Sequence, residues 1–297
     1  MMHSSNFRHL VRASDLTDTD VRHLVERAEE LAEGGTPQVE KSALVGTLFL
    51  TPSMRTRVGF AAAAFRLGCS ALPVTELRFD DKMSDAESLE DAVRVLTGMV
   101  DVLVTRSPRQ LDHDWLRDFA ACPLVNGGDS TEHPTQALVD IAAIEKFAGP
   151  VEDQRIAICG DARMRSVTSL LRLFGRMPPR SLVIAAPNGR GPLDPAGLIG
   201  QCEFVAPNDL GEFDVLLMPG LAPGTGPEIL GPSERTAFSA SACMLEGLSE
   251  RGVVLSPMPV IDEIDNDVRK DPRLKMFEQS DHAVFVRMAI LEWALAS

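Results

Sequence analysis

Three short groups of polar residues have types and spacings suited to handling a small anion. The first is Thr51-Pro-Ser-Met-Arg-Thr-Arg57, where hydroxyls and guanidiniums alternate. It follows a short apolar run, Leu44 to Leu50, and precedes the helical pattern Val58, Phe60, Ala61, Ala64, Phe65. The chain therefore turns from strand to helix at Pro52. A helix start presents unpaired backbone N–H groups and the positive end of its dipole. Two hydroxyls and two guanidiniums of this stretch, Arg55 and Arg57, converging with those N–H groups could hold a dianionic phosphate through charge-assisted bonds. The second group is Arg106, which closes the apolar run Val100 to Thr105. The third is the glycine-rich stretch Asn126 to Gln136, with His133 and Gln136 at the mouth of a helix that Pro134 opens. Each alone has a plainer explanation: a capped helix with exposed arginines, or a capping histidine before proline. Their recurrence at three strand ends weakens that explanation, because open α/β sheets bind ligands at the carboxyl ends of their strands.

The elements needed to position these groups are legible. A capping box (Thr17, Asp20) and one apolar face (Val21, Leu24, Val25, Ala28, Leu31) predict a first helix over 17–35, stopped by Gly34-Gly35. Ala71 to Val74 reads as a strand, 78–87 as a polar surface loop, and 89–99 and 111–120 as helices. Pro123 to Val125 is a short strand, and a helix over 134–147 ends at Gly149-Pro150, the expected domain boundary. The alternation then restarts: strand Arg155–Cys159, helix Arg165–Phe174, and strands at Leu182–Ala186, Glu203–Ala206, Phe213–Met218 and Gly252–Leu255. Residues 219–233 read as a long Pro/Gly loop, and a final helix runs from Asp281 to Leu295 with apolar content broad enough to pack back across both domains. The fold class expected is α/β: two domains, each a mainly parallel sheet flanked by helices. The first would comprise 1–148 plus 282–297, the second 149–281.

At 297 residues, with 44% hydrophobic and 24% charged residues, the chain has room for two domains with ordinary cores. A formal charge of −14 argues against nucleic acid or an anionic membrane as partner. An anionic substrate would have to bind in a local basic pocket. No apolar run is long enough to span a bilayer, and the start lacks a secretory h-region. The five cysteines are scattered, odd in number and in no metal-ligand spacing, so they read as reduced, mostly buried thiols of a cytoplasmic protein. Gly160-Asp-Ala-Arg is too poor in glycine for a dinucleotide fingerprint, and there is no Walker-type loop. A nucleotide-binding α/β enzyme is disfavoured on that ground.

At these residues the chain resembles the aspartate/ornithine carbamoyltransferase family over nearly its whole length. Ser53-Met-Arg-Thr-Arg57 matches the family's Ser-x-Arg-Thr-Arg motif for carbamoyl phosphate. His133-Pro-Thr-Gln136 matches its His-Pro-x-Gln motif, and Glu87 through Arg106 matches the segment ending on the phosphate arginine. Gly160-Asp161 followed by Arg165, and Pro257-Met-Pro259 followed by Asp262-Glu-Ile264, lie nearer the aspartate branch. No ornithine-type Asp-x-x-x-Ser-Met-Gly sequence is present.

The resemblance implies carbamoyl transfer without a cofactor. Ser53, Arg55, Thr56 and Arg106 would hold the phosphate, and His133, Arg106 and Thr56 would polarise the carbonyl. Gln136 and the main-chain carbonyls around Pro257 and Met258 would take the carbamoyl nitrogen. Arg165 would take the acceptor's α-carboxylate, with Met258 beside it. It also implies a homotrimer whose loop reaches into the neighbouring site. The departures fall in one functional set. The family's loop lysine is Asp85 here, with Lys82 displaced from it. Its Thr-Arg-x-Gln run is Pro219-Gly-Leu-Ala222, and its His-Pro-Leu-Pro-Arg is Ser256-Pro-Met-Pro-Val260. Those groups chiefly hold aspartate. The expected acceptor is therefore an amino acid other than aspartate, with a diamino acid suggested by Asp81 and Asp85. A non-catalytic homologue acting as a structural or regulatory subunit is the rival reading.

Overall fold

The computed structural model describes residues 7–39, 42–74, 88–110, 112–192, 202–222 and 230–296. Asp81, Lys82, Asp85 and the centre of the 219–233 loop lie outside them. The chain divides into two compact units, one of Met1–Leu138 with Ala283–Ser297, the other Val139–His282. Both are α/β, as the sequence predicts.

In unit 1, α1 (Asp18–Ala32) starts where expected, the Thr17 hydroxyl and the Asp20 carboxylate capping each other's backbone N–H groups. Its apolar face is buried, and so is Arg27. Four parallel strands follow: β1 (Leu44–Phe49), β2 (Ser70–Val74), β3 (Val102–Arg106) and β4 (Leu124–Asn126), in the order β2-β1-β3-β4. The crossovers are α2 (Met54–Arg66), α3 (Leu89–Thr97) and α4 (His113–Phe119). Strand order reverses between β1 and β3, where Phe49 pairs with Arg106. That pair marks the switch point at which such sheets open a ligand crevice.

A helix α5 (Pro134–Phe147) leads on into unit 2. There β5 (Arg155–Gly160), β6 (Ser181–Ala185), β7 (Glu203–Phe204), β8 (Phe213–Gly220) and β9 (Leu248–Leu255) form a parallel sheet in the order β7-β6-β5-β8-β9. Its switch point falls between β5 and β8. Helix α6 (Arg165–Phe174) has the predicted bounds. Short helices α7 (Pro232–Ala237) and α8 (Ala242–Leu245) were not expected. Neither is long enough to show a helical period. Strand β8 takes in residues 219–220 and α7 takes in 232–233, so the predicted loop is shorter than its composition suggests. The last helix, α9 (Met276–Leu295), begins five residues before the expected Asp281.

Candidate active site

The unit 1 switch point gathers three of the predicted residues. Leu50 N–H donates to the Arg106 carbonyl at 2.9 Å, so the ends of β1 and β3 stay level. Arg106 Nη1 then donates to the Gly127 carbonyl at 2.7 Å and lies 3.2 Å from His133 Nε2. Thr56 is buried, and its methyl would stand 3.2 Å from a Cβ placed on Gly127. Gly128, at φ +112°, is glycine for two reasons: an L side chain is strained there, and its Cβ would come 2.7 Å from Arg106 Nη1 and 3.0 Å from the His133 ring.

The turn carrying His133 is built by two polar side chains. Asn126 donates to Asp129 Oδ2 at 2.9 Å and accepts from Gly128 N–H at 2.8 Å. Asp129 Oδ1 accepts from the N–H groups of Thr131 and Glu132. These bonds replace regular structure between β4 and α5, and Thr135 Oγ1 then meets His133 Nδ1 at 3.2 Å. Gln136, half-buried, sits in the first turn of α5.

Ser53 is the N-cap of α2, yet its side chain makes no capping bond, which leaves the first N–H groups of the helix without a side-chain acceptor. The Thr51 hydroxyl is buried with no hydrogen-bond partner among the described residues. An anion at this helix mouth would satisfy both. Arg55 is half-buried one position before Thr56, and Met54 is exposed. One residue that the sequence did not single out adds to the charge here. Arg287 on α9 is 7% exposed, stacks 5.8 Å over Phe60 and packs against the backbone of Gly59. Burial first, and the charge of Arg55 second, pull it down to about 10.

In unit 2, Arg165 opens α6 from the end of β5. The predicted Pro257-Met258 turn is held from within: Met258 N–H donates to Ser256 Oγ at 3.1 Å, and Ser256 N–H donates to Gln279 Oε1 at 3.0 Å. Gln279 in turn donates to Asp140 at 2.7 Å. Met258 has φ +58°, the single non-glycine in that region among the described residues, and such strain collects at ligand sites. Beside β5, Asp161 binds Arg190 at 3.0 Å and Arg163 at 3.3 Å. Both arginines line an open cavity of about 640 Å³ beyond the ends of β6 and β7, next to the switch point rather than on it. The described residues contain no cluster of side chains able to hold a metal.

Residues 8–146 match the family described as aspartate/ornithine carbamoyltransferase, carbamoyl-P binding domain. An aspartate carbamoyltransferase catalytic subunit of Alkaliphilus oremlandii is 27% identical over 98% of this chain and 91% of its own, and that of Vibrio vulnificus is 28% identical over 99% of each. The Trypanosoma cruzi aspartate transcarbamoylase, solved with carbamoyl aspartate and phosphate, superposes with a TM-score of 0.84 at 28% identity over 97% of this chain and 95% of that one. The chain is similar to the aspartate/ornithine carbamoyltransferase family, through that domain in residues 8–146 and through relatives of the aspartate branch over nearly its whole length. It keeps the Ser-x-Arg-Thr-Arg and His-Pro-x-Gln motifs in unit 1 and departs at positions 219–222 and 256–260 in unit 2. No site role follows from the sequence for Arg287, in what looks like ordinary helix, or for Glu263, which enters only as part of the Asp262-Glu-Ile264 match. Only their burial singles them out.

Proposed function

We infer that this carbamoyltransferase moves the carbamoyl group from carbamoyl phosphate to the amine of an amino-acid-like acceptor other than aspartate. The contact of Arg106 with His133, beside Thr56 at the unit 1 switch point, carries this reading. Segments remote in sequence converge there on the space above a helix start, which is what a small dianion with a carbonyl needs. Carbamoyl transfer asks for little more: a neutral amine attacks the carbonyl carbon, phosphate leaves, and the protein positions both and neutralises charge.

On this reading unit 1 is the carbamoyl-phosphate half. Ser53, Met54, Arg55, Thr56 and Arg106 hold the phosphate; Thr56 and Arg106, the latter directed by His133, draw charge onto the carbonyl oxygen; Gln136 takes the nitrogen. Unit 2 is the acceptor half, with Arg165 for the α-carboxylate and the Pro257-Met258 turn for the carbamoyl nitrogen. Relatives named for aspartate favour aspartate as acceptor. Against it stand Gly220, Ala222 and Val260, which put small or apolar groups where the family carries polar and cationic ones. A homotrimer fits the apolar stripe Met54, Val58 and Phe65 on one face of α2, whose exposures of 71%, 57% and 82% invite a second copy.

The non-catalytic alternative draws on Asp85 in place of the loop lysine. Phosphate release from carbamoyl phosphate over a panel of amines decides between the two. Turnover with an amino acid and its loss in Arg106→Ala support the enzyme. Binding of carbamoyl phosphate without turnover on any amine supports the alternative, and a clear preference for aspartate removes the non-aspartate acceptor.

A further inference from the structure

Glu263 is a buried carboxylate with half of its hydrogen bonding left open. It is 3% exposed, and its Oε2 accepts from the N–H groups of Ile261 at 2.7 Å and Asp262 at 3.1 Å. Its Oε1 is buried and accepts nothing among the described residues. A carboxylate oxygen withdrawn from water without a donor is costly, and folds keep such groups where something else supplies the donor. Arg235, which feels the charge of Glu263, is not that donor. Its Nε and Nη2 go to the two oxygens of Asp262, and Nη2 also reaches the Leu221 carbonyl.

The carboxylate lies at the unit 2 switch point. A Cβ on Gly220 would stand 3.4 Å from its Cδ, 3.5 Å from Oε1 and 3.6 Å from Oε2, so the carboxylate packs flat against that position. Gly220 ends β8 at φ +80° and pairs with Gly160 at the end of β5, and its carbonyl accepts from Asp161 N–H at 2.9 Å. Five positions after Gly160, Arg165 opens α6. Open parallel sheets bind ligands where the strand order reverses. At that place α6 begins with Arg165, and the carboxylate of Glu263, one oxygen unsatisfied, lies against Gly220.

The geometry points to Glu263 as the receptor for a cationic side chain of the acceptor, an ammonium or guanidinium that donates to Oε1 while Arg165 takes the α-carboxylate. This rests on the carbamoyltransferase reading and narrows its substrate class to amino acids with a second basic group. A dicarboxylate would bring like charge against Glu263, and a neutral side chain would leave Oε1 unsatisfied. In the transfer, the free-base α-amine attacks the carbamoyl carbon and the C–N bond forms. The C–O bond to phosphate breaks with its electron pair on the departing phosphate, which carries off the proton lost by the attacking nitrogen. The distal group stays protonated against Glu263 and is not carbamoylated.

The test uses the full chain with carbamoyl phosphate and alanine, aspartate, 2,4-diaminobutyrate, ornithine or arginine, following phosphate release and locating the carbamoyl group by mass spectrometry. At least one basic amino acid is expected to exceed alanine tenfold or more in kcat/KM, with aspartate below alanine. Glu263→Gln, which keeps an oxygen for the two N–H groups, should bring that ratio to within twofold of one through KM and leave the alanine rate as it was. Inorganic phosphate binding and the melting temperature report its folding. If it does not fold, Glu263→Asp should raise KM threefold or more for the basic acceptor alone. Turnover with basic amino acids no better than with alanine, or a preference untouched by these variants, overturns the role of Glu263 and leaves the carbamoyltransferase standing. No turnover with any amine overturns both.

Discussion

Arg106 and His133 meet through one guanidinium nitrogen, 3.2 Å from Nε2 of the ring, and the same nitrogen donates to the Gly127 carbonyl. Arginine has no acceptor, so Nε2 is the acceptor in this pair and the imidazole proton sits on Nδ1, toward the Thr135 hydroxyl. Arg106 is therefore the group that presents N–H donors at the switch point, with His133 fixing their direction.

Replacing that fork should cost more than replacing its charge would suggest. Arg106→Lys keeps the cation but loses the planar pair of donors. The expected loss in kcat is about 10²–10³, the scale of removing one preorganised donor. Gly128→Ala pushes a methyl into Arg106 Nη1 and forces an L residue to φ +112°, so it should lower kcat at least tenfold without touching a reacting group. Steady-state kinetics beside a melting curve check both. Unchanged kcat in either variant would show that the contact does not direct the chemistry.

The unit 1 site was readable because its parts are local: a Ser-x-Arg-Thr-Arg run after a buried strand, and His-Pro-Thr-Gln at a helix start. The crossover elements followed from period and caps, as the Thr17–Asp20 box did for α1. What could not be read depends on burial. Glu263 sits in a polar run, Asp262-Glu263, beside Ile264, and nothing in that string says which carboxylate turns inward. Arg287 looks like a polar residue on an apolar helix until Phe60 and Gly59 close over it. The short helices α7 and α8 are set by the loop's packing rather than by any repeat.

Arg287 gives a prediction of opposite sign for stability and binding. Burial has drawn it down to about 10, a cost on the order of 3 kcal/mol for keeping the charge in the fold. Its stacking on Phe60 returns about 1–2 kcal/mol of that. Desolvation wins, so Arg287→Met should leave the melting temperature unchanged or higher. The lost charge should weaken phosphate binding at the start of α2, by about tenfold if the interaction is near 1.4 kcal/mol. Calorimetric titration with inorganic phosphate measures it, and equal affinity in the variant would remove Arg287 from the site's electrostatics.

Arg27 and Glu292 tie α1 to α9 within unit 1 by a paired contact, Nε to Oε2 at 2.6 Å and Nη2 to Oε1 at 3.2 Å, with both side chains under a tenth exposed. Glu292 Oε1 also accepts from Gln38 N–H at 2.7 Å. Removing Glu292 leaves the buried Arg27 with only Glu30, at 2.8 Å, and the Thr36 carbonyl, at 2.7 Å, so Glu292→Ala should cost about 3 kcal/mol, the low end for a broken buried pair. The double variant Arg27→Leu with Glu292→Met should recover most of it, because the pair's desolvation cost goes with the pair. Urea midpoints of the singles and the double test this; a double variant as unstable as the sum of its singles would mean the two residues act separately.

Asp214 sets the expected acid limb of unit 2. Arg155 donates to both its oxygens at 2.9 Å, and the Arg155 N–H adds a third bond at 3.0 Å. These side-chain bonds hold the carboxyl well below the usual carboxylate range, outweighing the opposing effect of burial. A carboxyl depressed in the fold takes up its proton more readily when unfolded. Its stabilisation is therefore complete above about pH 4 and lost as the pH falls toward the depressed folded value. The pair is partly open to solvent, which limits the effect to about 1 kcal/mol. Asp214→Asn should lower stability at pH 7 and flatten its decline between about pH 4 and pH 2, because the variant has no proton to gain there. Melting temperatures over that range read the slope directly, and an unaltered slope would assign the acid sensitivity to other carboxylates.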